Sequence, residues 1–114
     1  MTATEYRPAK SYAAEIRANI KAAQKSRQLD PKWKIRVRTE LASMCAEVAV
    51  HIQGDAVTDE FLFGNSRTEY GHARYTDEAL AVAAQVRELM APAANWHDGR
   101  MHFLFLYWRD GLMA

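Results

Sequence analysis

The alternation in residues 31 to 39, "PKWKIRVRT", constrains the fold more than any other feature of the sequence. Large apolar or β-branched side chains stand at Trp33, Ile35 and Val37. Cations alternate with them at Lys32, Lys34, Arg36 and Arg38. Because successive side chains of a strand point to opposite faces of a sheet, this period of two predicts a strand with one dry and one wet face. The wet face would carry all four cations.

A helix is predicted before this strand and a second strand after it. Residues 9 to 28 place apolar side chains at helical spacing, and Asp30 and Pro31 should end the helix. The apolar stripe consists of Ala9, Tyr12, Ala13, Ile16, Ile20 and Ala23. "AEVAVHIQ", residues 46 to 53, alternates again and predicts an antiparallel hairpin with the first strand. Glu47 and His51 would then share the cationic side, where a Glu opposite an Arg would form a cross-strand pair.

The second half of the chain predicts a long loop, a helix and a last strand. Residues 54 to 75 have no sustained period, although "EFLF" could form a short element. Thr76 should cap a helix that Pro92 stops, and Asp98-Gly99 reads as a tight turn. The buried stripe of this helix should be Ala79, Val82, Val86, Leu89 and Met90. "MHFLFLYW", residues 101 to 108, is apolar on both faces and predicts a central strand or one covered on each side.

These elements predict a single α+β domain in the order α-β-β-(long loop)-α-β. The sheet is small, antiparallel or mixed, with two helices on one face. Helices on one face leave the other face of the last strand open, so either the long loop or a second copy of the chain should cover it. If a second copy of the chain covers this face, the protein is a homodimer.

Composition agrees with a globular protein inside the cell. The 114 residues are 49% hydrophobic and 25% charged, which suits one domain. A lone cysteine, Cys45, excludes an intramolecular disulfide, and the first ten residues lack the apolar core of a signal peptide. The longest apolar run, Phe103 to Trp108, is far shorter than the ~18 residues needed to span a bilayer. We expect a cytoplasmic protein without a membrane segment.

The net charge of +1 conceals a division along the chain. Met1 to Arg38 holds ten Lys and Arg against three Asp and Glu, whereas Thr39 to Ala114 holds five against eleven. Arg17, Lys21 and Lys25 follow one another at helical spacing on the first helix. Together with the cations of the first strand they predict a positive patch that would attract acidic partners, unless the acidic half neutralises it.

Catalytic and metal-binding motifs are absent from the sequence. His51, His72, His97 and His102 stand at no spacing that fixes metal ligands locally. Loop acids and histidines could still gather a cation or supply a general base, which leaves a metal-dependent enzyme as one alternative. Cys45 shows no nearby activating group and is expected to be inert. No cofactor is predicted, and nothing positive indicates an enzyme.

The cationic strand is the better candidate for function. Its cations could follow a phosphate backbone, which makes nucleic-acid binding a second alternative. Single-stranded bases would need exposed aromatic side chains beside them. Trp33 is predicted on the dry face and the aromatics of the last strand are predicted to be buried, which weakens this hypothesis. Two other hypotheses would explain the same cations. They could belong to a solvated face that Glu47 and the loop acids neutralise, or they could contact an acidic protein.

Three segments carry a resemblance to a known family: "SYAAEIRANIKAA", "WKIRVRT" and "AEVAVHI". Residues 11 to 52 resemble a large polyvalent protein-associated domain, found in phage and other mobile-element polyproteins. The match lies in a helix with I-R-x-x-[LI]-K and a strand ending in V-R-[ST], carried by Ile16, Arg17, Ile20, Lys21, Val37, Arg38 and Thr39. The chain departs from the family after Ile52, where Gly54-Asp55 and a long loop replace the usual turn. The resemblance implies a mobile-element origin and a non-enzymatic accessory role.

The leading prediction is therefore a binding module that engages a protein or nucleoprotein partner. Its size and divided charge are similar to those of small inhibitors of host defence, including anti-CRISPR proteins. In that role the loop acids Asp55, Asp59, Glu60 and Glu69 would imitate nucleic acid, and the cations of the first helix and strand would form the second contact.

Overall fold

The computed structural model describes residues 9–41, 45–91 and 101–114. The elements, in chain order, are α1 (Ala9–Lys25), β1 (Lys34–Leu41), β2 (Cys45–Gln53), α2 (Asp59–Leu62), α3 (Asp77–Met90), β3 (Met101–Trp108), a 3-10 turn (Arg109–Gly111) and β4 (Leu112–Met113). The α+β class and the predicted order are confirmed, with α2 and β4 added. The predicted stop of α3 at Pro92 and the turn at Asp98-Gly99 lie outside the described residues.

The strands form one mixed sheet in the order β1-β2-β3-β4. The predicted hairpin is confirmed, since β1 and β2 are antiparallel with Val37 opposite Val50. Strand β3 runs parallel to β2, with Val50 opposite Leu106. Strand β4 pairs antiparallel with only the last two residues of β3, Tyr107 and Trp108. Strand β1 is therefore one edge of the sheet.

Helices α1 and α3 pack side by side on one face of this sheet, which we call the inner face. Their apolar stripes join the inward residues of the strands in one core cluster. The stripe predicted for α1 is confirmed in full, whereas on α3 Ala83 is buried and Val82 and Leu89 are only partly buried. Asn19 of α1 donates a hydrogen bond to the Leu89 carbonyl of α3 at 3.2 Å.

Helix α1 ends earlier than its sequence predicts. It stops at Lys25, and Arg27 adopts a left-handed conformation with φ of 64°. The chain then turns back, so that the Leu29 amide donates to the Ala23 carbonyl at 3.2 Å. Leu29 itself is 1% exposed, because the turn folds it into the core. The helix therefore ends in a left-handed turn at Arg27, several residues before Asp30 and Pro31.

The long segment from 54 to 75 is ordered around α2, which confirms the short element predicted at "EFLF". Leu62 is fully buried in the core. Phe61 packs against Trp33 and Trp108, with ring centroids 4.6 and 5.7 Å apart. Both tryptophans belong to the core on the inner face. The segment therefore covers the inner side and not the side predicted to need cover.

Strand β3 has two different faces despite its uniform apolar sequence. Leu106 and Trp108 point into the core, and Leu104 packs against it. Phe103, Phe105 and Tyr107 point the other way, and Phe103 is 39% exposed. The predicted central position is confirmed, since β3 lies between β2 and β4. The alternative prediction, cover on both faces, is wrong for the part of the chain that the structure describes. None of the helices described has the length and hydropathy needed to cross a membrane.

Candidate nucleic-acid interface

The outer face of the sheet combines cations with aromatic rings. We call it the open face, because no helix or loop among the described residues packs on it. The register places three strands side by side there: Lys34, Arg36, Arg38 and Glu40 on β1, Glu47, Ala49 and His51 on β2, and Phe103, Phe105 and Tyr107 on β3. The fold thus places the cations of β1 and the aromatic rings of β3 on the same face, on either side of β2.

The basic row consists of Lys34, Arg36 and Arg38, which are all exposed. Lys34 and Arg36 form no ion pair with any described residue. Arg38 contacts Glu40 at 3.3 Å, with 47% and 64% of the two side chains exposed. Exposed pairs of this kind contribute only about 0–1 kcal/mol, so Arg38 can exchange this partner for another anion at little cost. The predicted exposure of these three cations is confirmed.

Lys32, predicted as the fourth cation of the strand, lies in the turn before β1. Its ammonium group is 3.9 Å from a carboxylate oxygen of Asp30 and 4.8 Å from the centre of the Trp33 ring. The backbone amide of Lys32 also donates to the Asp30 carboxylate at 2.9 Å. This pair is as exposed as that of Arg38 and is exchanged as easily. Lys32 differs from the basic row only in that it lies in the turn before β1 and not on the strand.

The aromatic row consists of Phe103, Phe105 and Tyr107. Adjacent ring centroids are 5.9 Å apart at both steps, and the two phenylalanine rings are nearly parallel. The expectation that these aromatics are buried is wrong: Phe103 is exposed and the other two are half-buried. The alternation inside residues 103 to 108 separates these aromatics from Leu104, Leu106 and Trp108, but it does not indicate which of the two sets faces the core.

His51 joins the two rows. It stands opposite Arg36 on β1 and Tyr107 on β3, and its ring stacks on Tyr107 with centroids 5.1 Å apart. Burial lowers the pKa of His51, and the guanidinium groups of Arg38 and Arg36 lower it further against the opposing effect of Glu47. Near neutral pH the imidazole is therefore mostly uncharged, and it extends the aromatic surface toward the basic row.

The other end of the open face is acidic. Glu47 stands opposite Glu40 and not opposite an arginine, so the predicted cross-strand ion pair is wrong. Like charges directly opposite each other are unfavourable in a sheet. These two carboxylates line a shallow pocket of about 340 Å³ with Leu41, Cys45, Phe103 and Phe105. Burial raises the pKa of Tyr107, and Glu47 and Glu40 raise it further.

The cations of α1 lie at the edge of the sheet beside the basic row. Arg17 donates to the Val37 carbonyl of β1 at 2.8 Å. Lys21 lines a groove between α1 and β1, and Lys25 is exposed in the last turn of the helix. The predicted patch thus consists of the basic row and the cations of α1, which meet at strand β1.

The loop acids lie between β2 and α3, and all four are exposed. Asp59 pairs with the Arg109 guanidinium, which follows β3. Asp55, Glu60 and Glu69 are exposed, and none forms an ion pair with a described residue. No group of three possible metal ligands occurs among the described residues. His97, and the side chain of His102, lie outside the described part of the chain.

Comparisons of the chain with protein-family models, with curated proteins and with solved structures find no match. The resemblance of residues 11 to 52 to a mobile-element domain therefore stays a prediction. The assignment of a function rests on the geometry of the open face.

Proposed function

We propose that the protein is a non-enzymatic binding module for single-stranded nucleic acid, which docks on the open face. One observation carries this proposal: the basic row of β1 and the aromatic row of β3 lie on the same uncovered side of the sheet among the described residues. The sequence predicts that the aromatic side chains of β3 are buried, which weakens the hypothesis of nucleic-acid binding. In the structure Phe103, Phe105 and Tyr107 lie on the open face.

The spacing of the two rows suits a strand with unpaired bases. They are separated by two strand spacings, about 10 Å. Lys and Arg attract the phosphates, while aromatic faces stack on bases of any sequence. Ala49 lies between Arg38 and Phe105, and its small side chain is covered by its neighbours. A duplex keeps its bases stacked inside, where the aromatic row could not reach them.

The resemblance to a phage and mobile-element domain supports an accessory role in such an element. Single-stranded nucleic acid, or a nucleoprotein that contains it, would be the partner in the cytoplasm. An inhibitor that presents acids in place of nucleic acid has less support, because it would leave the cations and aromatic rings of the open face without a role.

Fluorescence anisotropy with labelled 12-nucleotide DNA and RNA strands, and with a DNA duplex, tests the proposal. Phe103→Leu keeps an apolar side chain but removes the ring. Loss of one base–aromatic stack costs about 1–3 kcal/mol, so the dissociation constant for single strands should rise roughly 5- to 160-fold. Arg36→Gln should reduce the slope of log affinity against log salt by about 0.7.

Two exposed residues away from the open face provide matched controls. Tyr70 in the loop is 80% exposed, and Arg87 is exposed in the last turn of α3. Tyr70→Leu and Arg87→Gln should leave affinity unchanged. The proposal fails if the unaltered protein binds no single strand at low salt, if it prefers the duplex, or if Phe103→Leu behaves like Tyr70→Leu.

A further inference from the structure

We infer that the bound strand does not end at the basic row but passes over the edge of β1 onto α1, where Lys21 and Lys25 hold its phosphates. This inference rests on the proposed function and adds the course of the ligand and the length of its site. It gives the helix cations a role separate from that of the open face.

Side chains of α1 bridge the edge of β1. This strand is paired on only one side, with β2. Arg17 donates to the Val37 carbonyl at 2.8 Å, and Gln24 donates to the Trp33 carbonyl at 2.7 Å. One carbonyl of the edge strand, and the carbonyl of the residue just before it, are therefore occupied by helix side chains. These contacts oppose pairing with a further strand and leave the corner free for a ligand of another kind.

The groove at this corner is positively charged. It has a volume of about 200 Å³ and is lined by Arg17, Ile20, Lys21, Gln24, Ile35 and Val37. Its lining contains two cations and no acid. Lys21 and Lys25 are exposed and form no ion pair with the described residues. A phosphate that enters the groove would thus meet the ammonium group of Lys21, which has no ion-pair partner among the described residues.

The groove continues the basic row around the strand. Arg36 and Arg38 project from β1 onto the open face, while the carbonyl of Val37 between them receives Arg17 from the helix side. Cations therefore stand on both sides of one strand, one residue apart. A backbone that leaves the aromatic row and crosses the basic row meets Lys21 next and then Lys25, one helical turn further on.

The charge of α1 favours a phosphate backbone as the occupant of this corner. An apolar peptide would gain little from a groove whose lining includes an arginine, a lysine and a glutamine. Single-stranded nucleic acid already placed on the open face brings one phosphate per nucleotide to the same edge. We therefore assign the corner to the same ligand and not to a second partner.

Oligonucleotide length separates this inference from the proposed function. A 4-nucleotide strand can occupy the open face alone, while a 12-nucleotide strand can also reach α1; sites of about 4–16 nucleotides are typical of single-strand binders. The test variant is Lys21→Gln with Lys25→Gln, because glutamine has nearly the helix propensity of lysine. Arg17 is kept, since its hydrogen bond supports the edge of β1.

For the 12-nucleotide strand, the double variant should reduce the salt slope by about 1.4, the value for two lost phosphate contacts. Its affinity for the 4-nucleotide strand should stay within twofold of that of the unaltered protein. Arg87→Gln serves as the control and should change neither. DNA and RNA strands are measured in parallel, because both carry the phosphates that this corner would bind.

Each outcome has a separate meaning. If the double variant weakens both lengths equally, the lysines act only by general attraction and the inference is overturned. If it weakens neither while Arg36→Gln weakens both, the strand stops at the basic row and the inference is also overturned. If the unaltered protein binds neither length, the proposed function is refuted together with this extension.

Discussion

Two neighbouring residues of β3 test whether the open face is free of cover. Leu106 points into the core and is 5% exposed, whereas Phe105 points outward and is half-buried. Leu→Ala at a buried site costs about 2–5 kcal/mol, and Phe→Ala about 3–5 kcal/mol. Because Phe105 is only partly buried and lies outside the core cluster, we expect Phe105→Ala to cost only about 1–2 kcal/mol. The larger side chain should thus be the cheaper one to remove.

Urea denaturation followed by circular dichroism measures both free energies of unfolding. The expected order is a larger loss for Leu106→Ala than for Phe105→Ala, with an unchanged dependence on urea. The reasoning is refuted if Phe105→Ala costs as much as Leu106→Ala or more, since both sides of β3 would then be buried.

If Phe105 is covered, the effect of protein concentration on stability shows whether a second copy of the chain covers it. A second copy of the chain that packs on Phe105 would stabilise the fold by mass action, so the urea midpoint would rise with concentration. A midpoint that is constant over a hundredfold dilution, together with a small effect of Phe105→Ala, is expected for the open face. It would also argue against the predicted homodimer.

Two further predictions concern the stability of the fold. The pKa of His51 is lower in the folded protein than in the unfolded chain. Below about pH 6.5 the unfolded chain therefore binds more protons than the folded protein does. We expect the free energy of unfolding to fall between about pH 7 and 5 and His51→Gln to reduce this loss; an identical pH dependence in the variant would contradict the assignment. Thr76 accepts a hydrogen bond from Ala79 at 3.1 Å and donates one to the Phe61 carbonyl at 2.7 Å. Thr76→Ala should cost about 1–2 kcal/mol in thermal or urea unfolding, and Thr76→Ser should recover most of it, because the serine hydroxyl can make both bonds.

The fold could be predicted largely from local patterns in the sequence. The stripe of α1, the alternation of β1 and β2, and the Thr76 cap are properties of neighbouring residues, and all are confirmed. The partner of β3 is not a local property. Its parallel alignment with β2 depends on the path of the intervening chain, for which the sequence carries no short-range signal.

For the same reason, the sequence predicts the basic row of the candidate site but not the aromatic row. The basic row follows from the period of β1 alone. The aromatic row depends on which side of β3 the helices take, and an apolar strand does not reveal that choice. The pairing of Asp59 with Arg109 is likewise a contact between distant segments. It gives one of the loop acids a partner that the sequence does not predict, although the Asp59 side chain stays 84% exposed.

In the mixed sheet, the basic row and the aromatic row depend on contacts that span different distances along the chain. The hairpin that carries the cations joins segments close together in the chain, whereas β3 must reach its place beside β2 from far along it. Contacts between distant segments close slowly during folding. A ligand that grips β1 and β3 at once would act as a clamp across β2, so occupancy itself would keep the last long strand docked.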